Sequence, residues 1–291
     1  MQKKTYAGQP VVTLNNGVDI PALGFGVWQM ENLDECEKAV VKAIHTGYRM
    51  IDTAAIYQNE TAVGQAVKDS GVGRDELFIT SKVWVQDHGY EKAKKAFQRT
   101  LDRLQMDYLD MYLIHWPYGD FLGTWKALEE LYAEGKIKAI GVCNFTVEKL
   151  EELKDNSTVH PVINQIELHP VFQQKELQVY DRENNIVTQP WSPLGNGNAD
   201  LLNNSRLKAI AEKYNKTVAQ VILRWHLQEG FVVIPKSVTP SRIEENFNVF
   251  DFEITEEEMN IVRSLDTGKR LFFDPKDPDW EEKMLKSVAD I

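Results

Sequence analysis

Between residues 23 and 238 the chain repeats one unit: a short apolar run, then a longer amphipathic one, at a period of about 30 residues. The apolar runs are "LGFGVW", "YRMIDTA", "LFITSKV", "YLDMYLIHW", "KAIGVCNF", "VINQIEL", "NIVTQPWSPL" and "FVVIPKSV", eight in all. Between them lie "LDECEKAVVKAIHT", "NETAVGQAVKDS", "GYEKAKKAFQRTLDRL", "FLGTWKALEELYAEG", "TVEKLEELKDN", "QKELQVYDRENN" and "TVAQVILRWHLQEG". In "ECEKAVVKAI" the apolar residues recur at helical spacing, the mark of one buried face. Gly47, Gly135 and Gly230 follow such runs, where a left-handed cap favours glycine. Strands that are apolar along their whole length are covered on both faces. Strands of that kind, each followed by a helix, predict a closed parallel (β/α)8 barrel, an α/β fold. The opening "VVTLNNGVDIPALGFG" adds a β-hairpin with its turn at Asn15 to Gly17. The segment from "TGKRLFFDPKDPDW" onward is a C-terminal tail, expected over the barrel mouth. With 291 residues and no low-complexity break, one domain over 1–291 is expected. The alternative is a doubly wound open sheet, usually announced by G-x-G-x-x-G after its first strand. "GFGVWQ" and "GNGNAD" both lack the third glycine.

Composition narrows the partners. At 43% hydrophobic and 26% charged, the chain has the profile of a folded, soluble protein. A net charge of −11 disfavours nucleic acid and anionic membranes, though it leaves room for a local basic pocket. No run approaches a membrane span of about 20 apolar residues. "MQKKTYAGQP" has no apolar stretch behind its basic residues, so no secretory signal is expected. The two cysteines, Cys36 and Cys143, suit reduced thiols in the cytoplasm.

In such a barrel, polar residues at the C-terminal ends of strands mark the site. The second run ends in Asp52 and then Tyr57, the third in Lys82, the fourth in His115. The fifth ends in Cys143 and Asn144, the sixth carries Gln165 and Glu167, the seventh offers Trp191 and Ser192, and the eighth Lys236 and Ser237. Each has a plain structural reading: Asp52 as a helix cap, Tyr57 as a packed ring, Lys82 as a rim charge, His115 as a satisfied core histidine. Taken together they specify chemistry. A free tyrosine has a pKa of about 10, a poor acid near neutrality. A lysine beside it lowers that value, and a carboxylate holds the lysine charged and placed. A histidine can orient a carbonyl and stabilise its developing negative charge. The combination suits protonation of a carbonyl oxygen while the carbon receives a hydride.

With these residues the chain resembles the aldo-keto reductase family. The likeness runs through "GFGVW", "DTAAIYQNE", "FITSKVW", "LIHWP", "GVCNF", "NQIELHP", "WSPLG", "IPKSVTPSRIEEN" and "LDTGKR". It is similar in particular to the prokaryotic branch that includes 2,5-diketo-gluconate and methylglyoxal reductases, because the segment between His115 and Trp125 is short. The resemblance implies NADPH-dependent reduction of aldehydes and ketones to alcohols by a monomer, with Asp52, Tyr57, Lys82 and His115 as the catalytic group and Tyr57 as general acid. It implies that Cys143, Asn144 and Gln165 meet the nicotinamide carboxamide and that Trp191 stacks on the ring. Ser192 and Leu194 would contact the pyrophosphate. Lys236, Ser237 and Arg242 would grip the 2′-phosphate, with Glu245 and Asn246 near the adenine. Trp28, Trp84 and Trp116 would wall the carbonyl pocket. The family usually has serine at Cys143; a thiol is a weak donor, so a weaker carboxamide contact is expected. Independently, "KSVTPSR" sets Lys236 and Arg242 about a helix N-terminus, a favourable anion site.

Rival readings fare less well. "YEKAK" matches the Y-x-x-x-K of short-chain dehydrogenases, but opens a lysine-rich amphipathic helix with no glycine-rich first turn in the chain. A barrel glycosidase needs paired carboxylates, for which Asp52 and Glu167 are candidates. The six histidines are scattered without zinc-ligand spacing, so no metal is expected. A non-enzymatic alternative is an NADPH-binding, redox-sensing partner of other proteins with little turnover.

Overall fold

The computed structural model describes residues 5, 6, 8–286 and 291. A three-stranded antiparallel unit comes first: β1 (Thr5–Tyr6), β2 (Gln9–Thr13) and β3 (Asp19–Pro21). Its turn closes through Gly17, whose φ of 85° favours a residue without a side chain. A seven-stranded parallel sheet follows in strict chain order: β4 (Phe25–Gly26), β5 (Met50–Asp52), β6 (Phe78–Val83), β7 (Met111–Ile114), β8 (Ile140–Cys143), β9 (Ile163–Glu167) and β10 (Val187–Trp191). The connecting helices are α1 (Leu33–Thr46), α2 (Glu60–Asp69), α3 (Tyr90–Leu104), α4 (Phe121–Ala133), α5 (Val147–Asp155) and α6 (Lys175–Glu183). After β10 come α7 (Ala199–Leu202), α8 (Ser205–Tyr214), α9 (Val218–Gln228), α10 (Pro240–Phe247), α11 (Glu256–Arg263) and α12 (Pro278–Lys286).

The alternation of strand side chains separates two cores. Ile51, Ile79, Tyr112, Ile114, Val142 and Ile166 pack outward, in one cluster with helix residues such as Val40, Val63, Phe97 and Leu128. Met50, Phe78, Met111, Leu113, Cys143 and Ile163 pack inward. Leu14 and Ile20 of the hairpin join this inner cluster, and Asn15 and Asn16 donate to the Pro161 and Lys138 carbonyls near the starts of β9 and β8. The hairpin therefore covers the N-terminal end of the sheet. Inward residues at the opposite end, one pleat further on, are the polar ones.

The eighth expected strand is not a regular strand. Segment 231–235 makes one bridge, Leu23 to Val233, yet its backbone bonds to both sides: Val232 N–H to Thr188 O at 3.4 Å, Val233 N–H to Ala22 O at 2.9 Å and Gly24 N–H to Val233 O at 2.7 Å. Pro235 has no N–H to donate, so the ladder loses one bond there, although its carbonyl still accepts from Gly26 N–H at 3.0 Å. The helices α7, α8, α11 and α12 were not among the expected runs. Among the described residues no helix is long and apolar enough to cross a membrane.

Candidate active site

β5 and β6 pair with Asp52 opposite Thr80, so Lys82 lies one inward position beyond Asp52. That stagger lets the lysine reach across. Lys82 Nζ donates to Asp52 Oδ1 at 2.5 Å, to the Thr53 carbonyl at 2.9 Å and to the Tyr57 hydroxyl at 3.4 Å. Tyr57 stands on a short 3-10 turn, Ala55–Tyr57, that leaves β5 at once. Asn59 secures this turn. Its amide donates to the Val27 carbonyl at 2.9 Å and its oxygen accepts from Thr53 at 2.7 Å. The other oxygen of Asp52 accepts from Gln165 Nε2 at 2.9 Å, and the same nitrogen donates to Gln189 Oε1 at 2.8 Å. β9 and β10 pair with Gln165 opposite Gln189, which is why the two amides meet. The His115 ring lies edge-on to Tyr57, 5.7 Å between centroids, and to Trp84, 5.1 Å.

Burial sets the electrostatics. It pushes the Tyr57 phenol up to about 12; the Lys82 cation pulls the other way and the Asp52 charge adds to the rise. The lowering expected from Lys82 is present but is the smaller effect, because the half-buried phenol loses much of its water in the cavity. For Lys82, burial alone would lower the ammonium, but the Asp52 carboxylate and Tyr57 outweigh it and hold it above its ordinary value. Burial, and then the Lys82 charge, hold His115 well below its usual range, so the imidazole is neutral at pH 7. His115 Nδ1 is buried without a partner. A proton there would be an unpaired buried donor, which favours the tautomer with the proton on Nε2.

These groups open on a cavity of about 1050 Å³. It is lined by Asp52, Tyr57, His115, Asn144, Gln165, Trp191, Ser192 and Leu194, by Trp28, Trp84 and Trp116, and by Lys236, Ser237, Arg242, Glu245 and Asn246. Of the strand-end residues singled out in the sequence, Lys82, Cys143 and Glu167 lie behind the wall, at 0%, 1% and 0% exposure. Cys143 is packed in the inner core, and burial raises its thiol far above the ordinary value. It stays protonated, with Lys82 and Asp52 as its charged neighbours. The paired tyrosine and lysine of "YEKAK" both bind Glu130 on the outside of the sheet and take no part.

The wall fits a dinucleotide. Gln165 spends its nitrogen on Asp52 and Gln189, and among the described residues no hydrogen bond engages its Oε1. Asn144 adopts a left-handed backbone, φ 61°, and its side chain ties the His115 carbonyl, at 3.0 Å, to Trp191 Nε1, at 2.9 Å. That bond fixes a partly exposed indole as a flat platform. At the far end Lys236 and Arg242 are exposed, and among the described residues neither forms an ion pair. Lys236 precedes α10 and Arg242 lies in its first turn, which carries Pro240 at its start and no side-chain cap. Two free cations and uncapped backbone N–H groups make an anion site. Glu245 beside them accepts from the Thr217 hydroxyl at 2.8 Å.

Sequence reasoning missed several wall residues. Thr217, Val218 and Ala219 line the cavity at the start of α9. The signal existed, since Thr217 and Gln220 form a capping box that fixes this helix start. Gln29 and Glu31 carried no such signal. Phe272, Phe273 and Trp280 of the tail also reach the wall, together with Met284.

Comparison with known proteins agrees with this geometry. Residues 22–267 match the model of the Aldo/keto reductase family. A glyoxal reductase of Bacillus subtilis (strain 168) is 54% identical over 261 residues, 89% of this chain and 94% of that protein. The methylglyoxal reductase DkgA of Escherichia coli (strain K12) is 48% identical, over 92% of this chain and 98% of its own length. The solved structure of a Bombyx mori aldo-keto reductase in complex with NADP superposes with a TM-score of 0.87 at 35% identity, covering 94% of this chain and 97% of that one. The family model spans most of the chain and includes every residue of the Asp52, Tyr57, Lys82 and His115 cluster, and on these grounds the chain belongs to the aldo/keto reductase family.

Proposed function

We propose that this protein is an NADPH-dependent reductase that converts aldehydes and ketones to alcohols, an oxidoreductase acting on CH–OH groups, with small dicarbonyls among its substrates. The observation that carries the reading is the buried Lys82 ammonium held between the Asp52 carboxylate and the Tyr57 hydroxyl, behind a cavity whose far end holds Lys236 and Arg242, neither of them ion-paired among the described residues. The relatives named for glyoxal and methylglyoxal reduction support the substrate class, and the NADP-bound neighbour supports the cofactor.

Gln165 Oε1 and Asn144 would receive the carboxamide, Trp191 the nicotinamide ring, Ser192 and Leu194 the pyrophosphate, and Lys236, Ser237 and Arg242 the 2′-phosphate. Bound in this way, the cofactor supplies a hydride to the carbonyl carbon. His115 Nε2 donates a hydrogen bond that fixes the carbonyl oxygen. Tyr57 keeps its proton at pH 7 and gives it to that oxygen as negative charge develops. Lys82 then stabilises the phenolate, and Asp52 keeps Lys82 charged and in place. Trp28, Trp84 and Trp116 exclude water from the reacting end.

The same reading takes segment 231–235 as the seam that closes the sheet into a (β/α)8 barrel, within one domain over 1–291, and places the tail over its mouth. Its backbone bonds to β10 and to the β4 side support the closure. A monomer in the cytoplasm is the state proposed, in keeping with the acidic charge and the reduced thiols.

The test follows NADPH absorbance with methylglyoxal, with NADH as control. Wild-type protein should consume NADPH much faster than NADH. Tyr57→Phe should lose a factor of about 10² to 10⁴ in kcat while still binding NADPH. A Tyr57→Phe rate near wild type would remove the acid from this account.

A further inference from the structure

Glu167 is a fully buried carboxylate that the reaction above does not use. It lies two residues beyond Gln165 on β9, so both side chains leave the strand on its inner face. Its Oε1 accepts the Leu271 backbone N–H at 2.7 Å and lies 3.2 Å from His169 Nε2. Its Oε2 accepts from Arg270 Nη1 at 3.4 Å. Gln174 completes the joint: its amide nitrogen donates to the Glu167 carbonyl at 2.6 Å, and its oxygen accepts from Arg270 Nη2 at 3.1 Å. The Arg270 guanidinium also lies over the Phe172 ring, 4.6 Å from its centroid.

Residues 264–277 contain no helix or strand; the Thr267 N–H donates to the Val171 carbonyl at 2.9 Å, and beyond that anchor the Glu167 contacts help decide where this backbone runs. The Glu167 joint grips it immediately before the aromatics that meet the cavity. Phe272 stands edge-on between Trp28, at 5.8 Å, and Trp191, at 5.1 Å. Phe273 lies flat on Trp280, 3.6 Å between centroids, and Trp280 in turn meets Trp116 at 6.0 Å. A buried carboxylate is costly unless donors surround it, and here two of the donors belong to the tail.

We propose that Glu167 is a positioning residue that sets substrate selectivity: by holding Arg270 and Leu271 it fixes Phe272 in the cavity mouth as an apolar wall for carbonyl compounds with large aromatic substituents. The inference rests on the reductase reading above. A small dicarbonyl bound at Tyr57 and His115 gains little from that wall. An aromatic aldehyde extends to it.

The experiment compares kcat and KM for methylglyoxal and for 4-nitrobenzaldehyde at saturating NADPH, in wild type, Glu167→Gln and Phe272→Ala. Glu167→Gln keeps the size but turns an acceptor into a donor facing donors. For each variant, KM for the aromatic aldehyde should rise roughly tenfold, the scale of losing one partly buried aromatic contact. In Glu167→Gln, kcat/KM for methylglyoxal should hold. The double variant should be no worse than either single one. Hydrogen exchange should show the Leu271 amide losing protection in Glu167→Gln. An equal loss with both carbonyls, or an unchanged Leu271 amide, would overturn the latch. If Glu167→Gln fails to fold, Arg270→Ala replaces it with the same expected outcomes. Wild-type protein that consumes NADPH with neither carbonyl would overturn the reductase reading and this selectivity with it, while the exchange of Leu271 would still report on the joint itself.

Discussion

Lys82 is an ammonium with no exposed surface, tolerated because Asp52, the Thr53 carbonyl and the Tyr57 hydroxyl surround it. Removing one member of a buried ion pair strands the other. Lys82→Met should therefore destabilise the fold by about 3–5 kcal/mol, measured by denaturant unfolding, and should also abolish most turnover. Asp181 poses the opposite problem. It is buried on α6 with one oxygen bonded to Thr188 at 2.9 Å and the other unpartnered. Burial raises its carboxyl to about 7, with the Thr188 hydrogen bond opposing. The folded state then binds more protons than the unfolded state between the ordinary carboxyl value and about 7, so stability falls as pH rises through that window. Asp181→Asn should flatten this slope in unfolding curves measured from pH 4 to 8. A slope unchanged in the variant would show that the group does not titrate there. Neither Lys82 nor Asp181 announces its burial in sequence. A lysine at a strand end reads as a rim charge until the fold encloses it.

At the scale of elements, helix spacing is decided by residues with no chemistry of their own. Gly64 sits in the middle of α2, where an added Cβ would lie 2.3 Å from the Leu104 carbonyl oxygen at the end of α3. The obstacle is backbone, so the helices must part. Gly64→Ala should cost about 1–3 kcal/mol by thermal unfolding, although alanine is the better helix former. The main helices around the sheet were legible because their apolar stripes are periodic. Two of the unexpected ones also carried readable signals. Leu207, Ile210 and Ala211 give α8 a buried face, and Thr255 with Glu258 forms a capping box at the start of α11. The eighth run bonds to both neighbours without forming a regular strand, and a local reason is the missing N–H of Pro235 within an otherwise strand-like run.

For the whole molecule, the cavity joins residues from nearly every strand end to α10 and the tail, so a ligand that fills it is linked to global folding. NADPH at a hundred times its Kd should stabilise the protein by about 2.7 kcal/mol, read as a rise in Tm. Arg242→Ala should lose most of that gain for NADPH and little of the smaller gain for NADH. Equal losses for the two cofactors would remove the phosphate clamp.

The sequence alone determined the alternation of strand and helix through the main run of the chain and the inventory at the strand ends: a carboxylate, a phenol, an ammonium and an imidazole. These are local properties, set by side-chain alternation and helical period, and they survive in one dimension. The tertiary structure decided which of those groups touch, that Lys82 and Cys143 stand behind the wall, that burial outweighs Lys82 at Tyr57, and that Glu167 is tied to a tail more than a hundred residues downstream. Those outcomes depend on enclosure and on distances through space, which spacing along the chain does not encode.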